Sequence, residues 1–304
     1  MFVRSTAPVR SVTDTMPLLL LVTALWAFSF SLIGEYLSGQ VDNYFAVLTR
    51  VALAAALFLP FLAFRGLPGR HKLALMGLGA VQLGLMYVFF YQSFLLLTVP
   101  EVLLFTIFTP LYVTLLDDAL AGRFSPMHLL AALLAVAGAA VIRFQPPSEF
   151  WLGFLVVQGA NLCFAAGQVG YRHLSPRLPK NLPPRASFGW FYLGALALAL
   201  PAWVLFGDRG ALPTTMLHWG VLAWLGLVAS GLGYFLWNRG ATRVDAGTLA
   251  VMNNALIPAG LLVNLLIWNR DADLVRLSVG AAILLIALTV GLRFGRLRPR
   301  HTSV

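Results

Sequence analysis

Ser230, Tyr234 and Asn238 recur at i, i+4 and i+8 with Trp237 beside them, so on a helix they share one face. Tyr87 and Tyr91 form a similar stripe, and Gln92 follows directly. Asn161, Phe164 and Gln168 are spaced for one face of a third helix, Trp26 and Phe30 for one face of a fourth. Asn253 and Asn254 are adjacent amides in an otherwise apolar run. Rings, hydroxyls and amides with no base or metal to activate them hold a molecule by stacking and hydrogen bonding. The five histidines (His71, His128, His173, His218 and His301) are scattered, and no HExxH, Walker loop or metal-ligand spacing occurs. Cys163 is the single cysteine and lies in an apolar run, which excludes an intrachain disulfide and a thiolate cluster. The residues therefore point to a binding site with no catalytic residue, metal or cofactor, and not to an enzyme. In such a site Trp26, Tyr87, Phe164, Tyr234 and Trp237 are expected to form an aromatic box. Ser230, Asn161, Gln168, Asn253 and Asn254 are expected to meet the polar groups of the cargo.

These residues must be positioned by helices that cross a bilayer. Of the 304 residues 60% are hydrophobic and 11% charged, with mean hydropathy +0.84; a soluble domain carries about 25% charged residues. The apolar residues fall into blocks long enough to cross ~30 Å of hydrocarbon. Helices are predicted near residues 16–36, 44–64, 72–96, 99–117, 126–142, 151–171, 187–206, 216–238, 246–268 and 275–294. Breaks at Gly66-Leu67-Pro68-Gly69, Gln145-Pro146-Pro147 and Leu182-Pro183-Pro184 separate some of them. The first block has no convincing cleavage site and reads as an uncleaved helix.

The net charge of +10 resembles a nucleic-acid signal, but its distribution assigns it to topology. With the N-terminus inside, 16 of the 21 lysines and arginines fall on the inner side, from Arg4 and Arg10 through Arg65, Arg70 and Lys72 to Arg293–Arg300. Four (Arg143, Arg209, Arg270 and Arg276) fall outside. Both termini are thus expected to be cytoplasmic, with inner clusters touching anionic lipid headgroups. The acids avoid the centre of the membrane: Glu35, Asp42, Glu101, Glu149, Asp208, Asp271 and Asp273 lie near the outer face, Asp14, Asp117, Asp118 and Asp245 near the inner. A cation pump needs a central carboxylate, and a phosphorylated cargo needs several bases, so a neutral or zwitterionic cargo is expected. Arg50, about two turns inside helix 2, is expected to pair with Glu35, Asp42 or Glu101 or to snorkel outward; the sharper reading is a hold on a substrate carboxylate. With no central carboxylate or histidine, facilitated movement or exchange is expected in place of tight proton coupling.

The two halves echo each other. Gly84-Leu85-Met86-Tyr87 before Tyr91-Gln92 parallels Gly231-Leu232-Gly233-Tyr234 before Asn238, an offset of 147; Pro110 and Pro258 are offset by 148. Trp26-Ala27 and Phe164-Ala165 form a weaker pair. Ten helices halve into five, an odd number, so the second copy inserts inverted. The expected fold is an all-α membrane protein of two inverted five-helix repeats, residues 1–146 and 147–304, built for alternating access. Tyr91, Gln92 and Asn238 lie toward opposite ends and are expected to gate. Pro110 and Pro258, which deprive the Thr106 and Asn254 carbonyls of their helical donors, are expected to be hinges.

Trp26-Ala27, the run Arg50-Val51-Ala52-Leu53-Ala54, Pro110, Pro258 and the paired halves together resemble the drug/metabolite transporter superfamily in its ten-helix EamA-type form. The resemblance covers nearly the whole chain and is closest to the bacterial YddG-type exporters. It implies a transporter of the cell inner membrane that exports aromatic and other apolar amino acids. The alternatives are a multidrug or other metabolite exporter of the same superfamily and, outside it, a channel or receptor. The expected partners are a small-molecule substrate and membrane lipid, with no nucleic acid, and the sequence is compatible with a monomer.

Overall fold

The computed structural model describes residues 12–122, 124–142 and 151–268, residue 275 and an interrupted run within 278–290. Arg4, Arg10, Arg123, Arg143, Glu149, Arg270, Asp271, Asp273, Arg276, Arg293 to Arg300, His301 and the break Gln145-Pro146-Pro147 lie outside the described residues. Among the described residues every regular element is helical. Eight helices are long and apolar enough to cross a membrane: α1 (Thr15–Tyr36), α2 (Asn43–Phe61), α3 (Gly69–Leu96), α4 (Glu101–Leu120), α6 (Trp151–Arg177), α7 (Pro184–Phe206), α8 (Met216–Ala241) and α9 (Ala246–Val263). Two shorter apolar helices, α5 (Pro126–Gly138) and α10 (Ser278–Ala287), also occur among the described residues.

Polar side chains start the helices, where four backbone N–H groups have no partner of their own. Asp42 accepts from Phe45 N at 2.7 Å at the head of α2, and Thr215 from His218 N at 3.1 Å at the head of α8. Left-handed glycines end two of them: Gly39 (φ 72°) just after α1 and Gly122 (φ 59°) just after α4. Glycine also permits the closest crossing. A Cβ on Gly79 of α3 would stand 1.7 Å from the Phe191 carbonyl oxygen, and one on Gly194 of α7 would stand 1.9 Å from that of Met76. Without a hydrophobic force between helices in lipid, such close backbone approach is what holds the pair.

Two helices carry π-helical segments, Ala80–Leu85 in α3 and Trp224–Leu232 in α8. A π turn shifts the backbone register and frees carbonyls. In α8 these are used: Trp26 Nε1 donates to Ala229 O at 2.9 Å, and the Tyr192 hydroxyl to Ser230 O at 2.7 Å and Gly231 O at 3.0 Å. In α3 the segment carries buried Gln82, which occupies the space a Cβ on Gly167 of α6 would need.

Two helices also break near their middles. The first part of α4 ends at Phe105, a 3₁₀ turn spans Thr106–Phe108, and Pro110 sits in the first turn of the part that follows. In α9 the break is at Ala255, with Pro258 in the next turn. The breaks touch, since Asn254 Nδ2 donates to Ile107 O at 3.1 Å. Ile107 and Asn254 are themselves 147 residues apart, the offset that also relates Thr98–Glu101 to Asp245–Thr248. Each of those pairs closes a hydrogen-bonded turn at a helix start: Thr98 N and Oγ1 donate to Glu101 Oε2, both at 2.8 Å, and Thr248 N and Oγ1 donate to Asp245 at 2.8 and 2.7 Å.

Charged groups tie the bundle at one end. Buried Asp117 of α4 takes Arg172 Nη1 at 2.7 Å and His173 Nε2 at 2.9 Å from the last turns of α6. His128 of α5 lies 3.6 Å from Asp245. Hydropathy alone stops α6 near residue 171; these ion pairs explain why it runs on.

Candidate functional site

The helix breaks, the turns of α8 just after its π segment and the middles of α1, α2, α3 and α6 surround a cavity with an apolar lining and a few placed polar groups, as small-molecule sites have. Seven of the ten expected binding residues line it: Trp26, Tyr87, Asn161, Phe164, Tyr234, Trp237 and Asn253. The rings form one connected wall. Trp26 is the hub, with centroids 4.8 Å from Tyr234, 4.9 Å from Trp237 and 5.6 Å from Phe164. Tyr87 meets Tyr234 at 5.8 Å. Phe30 and Phe90, packed at 5.0 Å, make a second apolar wall.

Ser230, Gln168 and Asn254 do not line the cavity. Each is buried and bonded to protein. Ser230 Oγ meets Tyr87 Oη at 2.7 Å, and the Gln168 oxygen takes Trp237 Nε1 at 2.8 Å. Asn254 bridges the two helix breaks as described. Asn161 lines the cavity but is partly committed, because its Nδ2 donates to the freed Phe105 carbonyl at 2.8 Å beside Gln158 Nε2 at 3.2 Å. The carbonyls recruited at the breaks are thus Phe105 and Ile107 in place of the expected Thr106 and Asn254. The 3₁₀ turn at residues 106–108 shifts the pairing.

The expected gate residues lie away from the lining. Tyr91 is buried, with its carbonyl accepting from Asn43 Nδ2 at 2.9 Å; Gln92 is half-buried; Asn238 is buried, its Nδ2 bonded to Tyr234 O at 3.0 Å. They do occupy opposite ends of the bundle. Tyr91, late in α3, is held by the start of α2, whereas Gly240, late in α8, packs on Leu19, early in α1.

Arg50 is the residue whose surroundings differ most from expectation. It is 2% exposed and, among the described residues, is the one charged side chain in the lining. Its Nε donates to Ser230 Oγ and its Nη1 to Tyr91 Oη at 3.5 Å, and its guanidinium lies 4.1 Å from the Tyr87 ring centroid. None of these partners is a carboxylate: Asp42 caps α2 and Glu101 holds Thr98. The expectation of a paired or outward-snorkelling arginine is therefore corrected. The α8 π segment carries Ser230 to the inner face of α2, and two hydroxyls and a ring face hold the guanidinium beside the cavity. A cation buried at this depth costs several kcal/mol, only partly offset by cation–π and neutral hydrogen-bond partners. An anionic group entering the cavity would complete the pairing.

Comparison with known proteins places the chain in a family. The EamA-like transporter family matches residues 15–144. The chain is 58% identical over 286 residues to a probable biotin transporter of Pseudomonas aeruginosa, covering 94% of this chain and 100% of that one. It is 50% identical to the biotin transporters of Salmonella typhimurium, over 294 residues, and Escherichia coli K12, over 290, covering 95% of this chain and 96% of each. A solved crystal structure shares the fold, with TM-score 0.73 over 93% of this chain and 99% of the other at 19% identity. The chain belongs to the EamA-like transporter family and is a multi-pass membrane transporter, not an enzyme.

Proposed function

We propose that the protein carries biotin across the inner membrane by alternating access, with Arg50 holding the biotin carboxylate. The observation that carries this reading is the buried Arg50 on the cavity wall with only hydroxyls and a ring as partners. The names of relatives with 50–58% identity support the cargo. This reading replaces aromatic amino-acid export. The neutral or zwitterionic cargo expected from the acids' positions gives way to a monocarboxylate because the relatives are named biotin transporters. Among the alternatives, a metabolite transporter of the same superfamily is the one supported.

The aromatic wall would take the apolar body of the cargo, at Trp26, Tyr87, Phe164, Tyr234 and Trp237. The recurrence of π segments, capped helix starts and breaks near a 147-residue offset supports two inverted repeats, residues 1–146 and 147–304. Pro110 and Pro258 would then serve as matched hinges, and Tyr91–Gln92 and Asn238 as matched gates toward opposite ends. The charge distribution supports cytoplasmic termini. Purified protein in liposomes tests the proposal: saturable uptake of radiolabelled biotin is expected, inhibited by unlabelled biotin and not by phenylalanine or tryptophan. Absence of saturable biotin flux from correctly inserted protein would defeat it, and a substrate-independent ion current would favour a channel.

A further inference from the structure

The cavity is charged at one end and amide-rich at the other. Arg50 and its hydroxyl partners, from α2, α3 and α8, make the charged end. The remaining polar lining residues include Asn161, Thr106 and Asn253, gathered where α4 and α9 break. The rings of Trp26 and Phe164 stand in the same lining. At the amide end most donors are already used: Thr106 Oγ1 on Leu103 O at 2.7 Å, Asn161 Nδ2 on Phe105 O at 2.8 Å and Asn253 Nδ2 on Leu249 O at 2.7 Å. What remains is one N–H of Asn253 and acceptor capacity on the amide oxygens.

The orientation of Asn253 follows from a chain of hydrogen bonds. Trp237 Nε1 donates to Gln168 Oε1 at 2.8 Å, Gln168 Nε2 to Asn253 Oδ1 at 3.4 Å, and Asn253 Nδ2 to Leu249 O. An indole N–H can only donate and a backbone carbonyl can only accept, so both amides in between are fixed in direction. The Asn253 oxygen receives one long bond and keeps a lone pair for a donor in the cavity.

We infer that the amide end of the cavity reads the N–H groups of the biotin cyclic urea, with Asn253 Oδ1 as an acceptor and Gln168 as a positioning residue. This rests on the biotin reading above. Biotin carries a carboxylate at one end of an alkyl chain, then a thioether ring, then a cyclic urea whose two N–H groups need acceptors. The charged, apolar and amide groups of the lining are of the kinds that these parts of biotin need. A carboxylated chain without the urea satisfies Arg50 and leaves the amide oxygens unpaired, which is the basis for discrimination.

The test is competition against radiolabelled biotin uptake in liposomes holding the full chain. Desthiobiotin keeps the urea and loses the sulfur; lipoate keeps a carboxylated chain on a sulfur ring and lacks the urea. With the wild-type chain, lipoate is expected to compete at least about tenfold more weakly than desthiobiotin, the factor about one hydrogen bond carries. Asn253→Ala is expected to raise the KM for biotin about tenfold with maximal rate largely kept, and to narrow the gap between the two competitors to under about threefold. Gln168→Leu should shift both quantities in the same direction by less. An unchanged gap in Asn253→Ala, or lipoate competing as well as desthiobiotin on the wild type, overturns the inference and leaves biotin transport standing. If Asn253→Ala does not reach the membrane, a biotin methylated on its urea nitrogens decides the matter on the wild type: competition equal to biotin overturns the inference. Absence of any saturable biotin flux overturns the biotin reading itself, and this inference with it.

Discussion

Replacing Arg50 by glutamine removes the charge and keeps most of the length, so it isolates the electrostatic role. In the wild type the guanidinium is 2% exposed and pairs with Ser230, Tyr91 and the face of Tyr87. A charge-assisted bond to a bound carboxylate in such a site is worth about 1.5–3 kcal/mol, and stranding the carboxylate opposite a neutral side chain raises the loss to about 2–4 kcal/mol. At a factor of ten per 1.4 kcal/mol, the KM for biotin should rise about 30- to 800-fold. The same substitution relieves the empty site of an unpaired buried cation. An uncharged analogue, biotinol or biotin amide, should therefore be transported by Arg50→Gln as well as by the wild type or better. The assay is initial-rate uptake of each radiolabelled compound into liposomes, normalised to inserted protein. A reversal of preference is expected. If biotin and biotinol fall together by the same factor, Arg50 is structural and the anion-binding reasoning fails.

Trp26→Ala or Tyr234→Ala should reduce biotin transport about tenfold at normal expression, because each removes a ring from the connected wall and an aromatic contact carries up to about 1.5 kcal/mol. Tyr36→Ala, on the same helix as Trp26 and outside the lining, should have a much smaller effect; equal effects would count against the pocket. Gly194→Leu should abolish assembled protein, read as loss of monodisperse material in detergent, because even a Cβ there overlaps the Met76 carbonyl; normal yield would show that α3 and α7 do not pack so closely. The described lining holds no carboxylate or histidine to carry a proton with the cargo. Biotin flux should therefore respond to voltage, its equilibrium ratio shifting about fiftyfold per 100 mV. Uphill accumulation driven by a pH gradient at zero potential would disprove uncoupled transport.

The helices were legible because a bilayer sets their length. The predicted 72–96 and 126–142 lie within about four residues of α3 (Gly69–Leu96) and α5 (Pro126–Gly138). Failures of hydropathy were electrostatic, as at α6, where Arg172 and His173 extend the helix to reach Asp117. The π segments were invisible, since a one-residue register shift leaves no mark in composition. Tyr87, Tyr234 and Trp26 were recognisable as lining because an aromatic group with a polar tip has few other uses at that depth. The amides were harder to sort. Asn253 and Asn254 are neighbours of one type, yet one lines the cavity and the other joins two helix breaks. The difference lies in which carbonyl is within reach, and that depends on a partner about 147 residues away.

Polytopic helices, a doubled pattern and a cluster of rings and amides at membrane depth were readable along the chain. Those features are one-dimensional: block length, charge spacing and recurrence are readable along the chain. The surroundings of Arg50 depend on the tertiary structure. Pairing in a membrane interior depends on which groups come within hydrogen-bond reach, and for Arg50 the decisive neighbour, Ser230, lies 180 residues away on a π-helical turn.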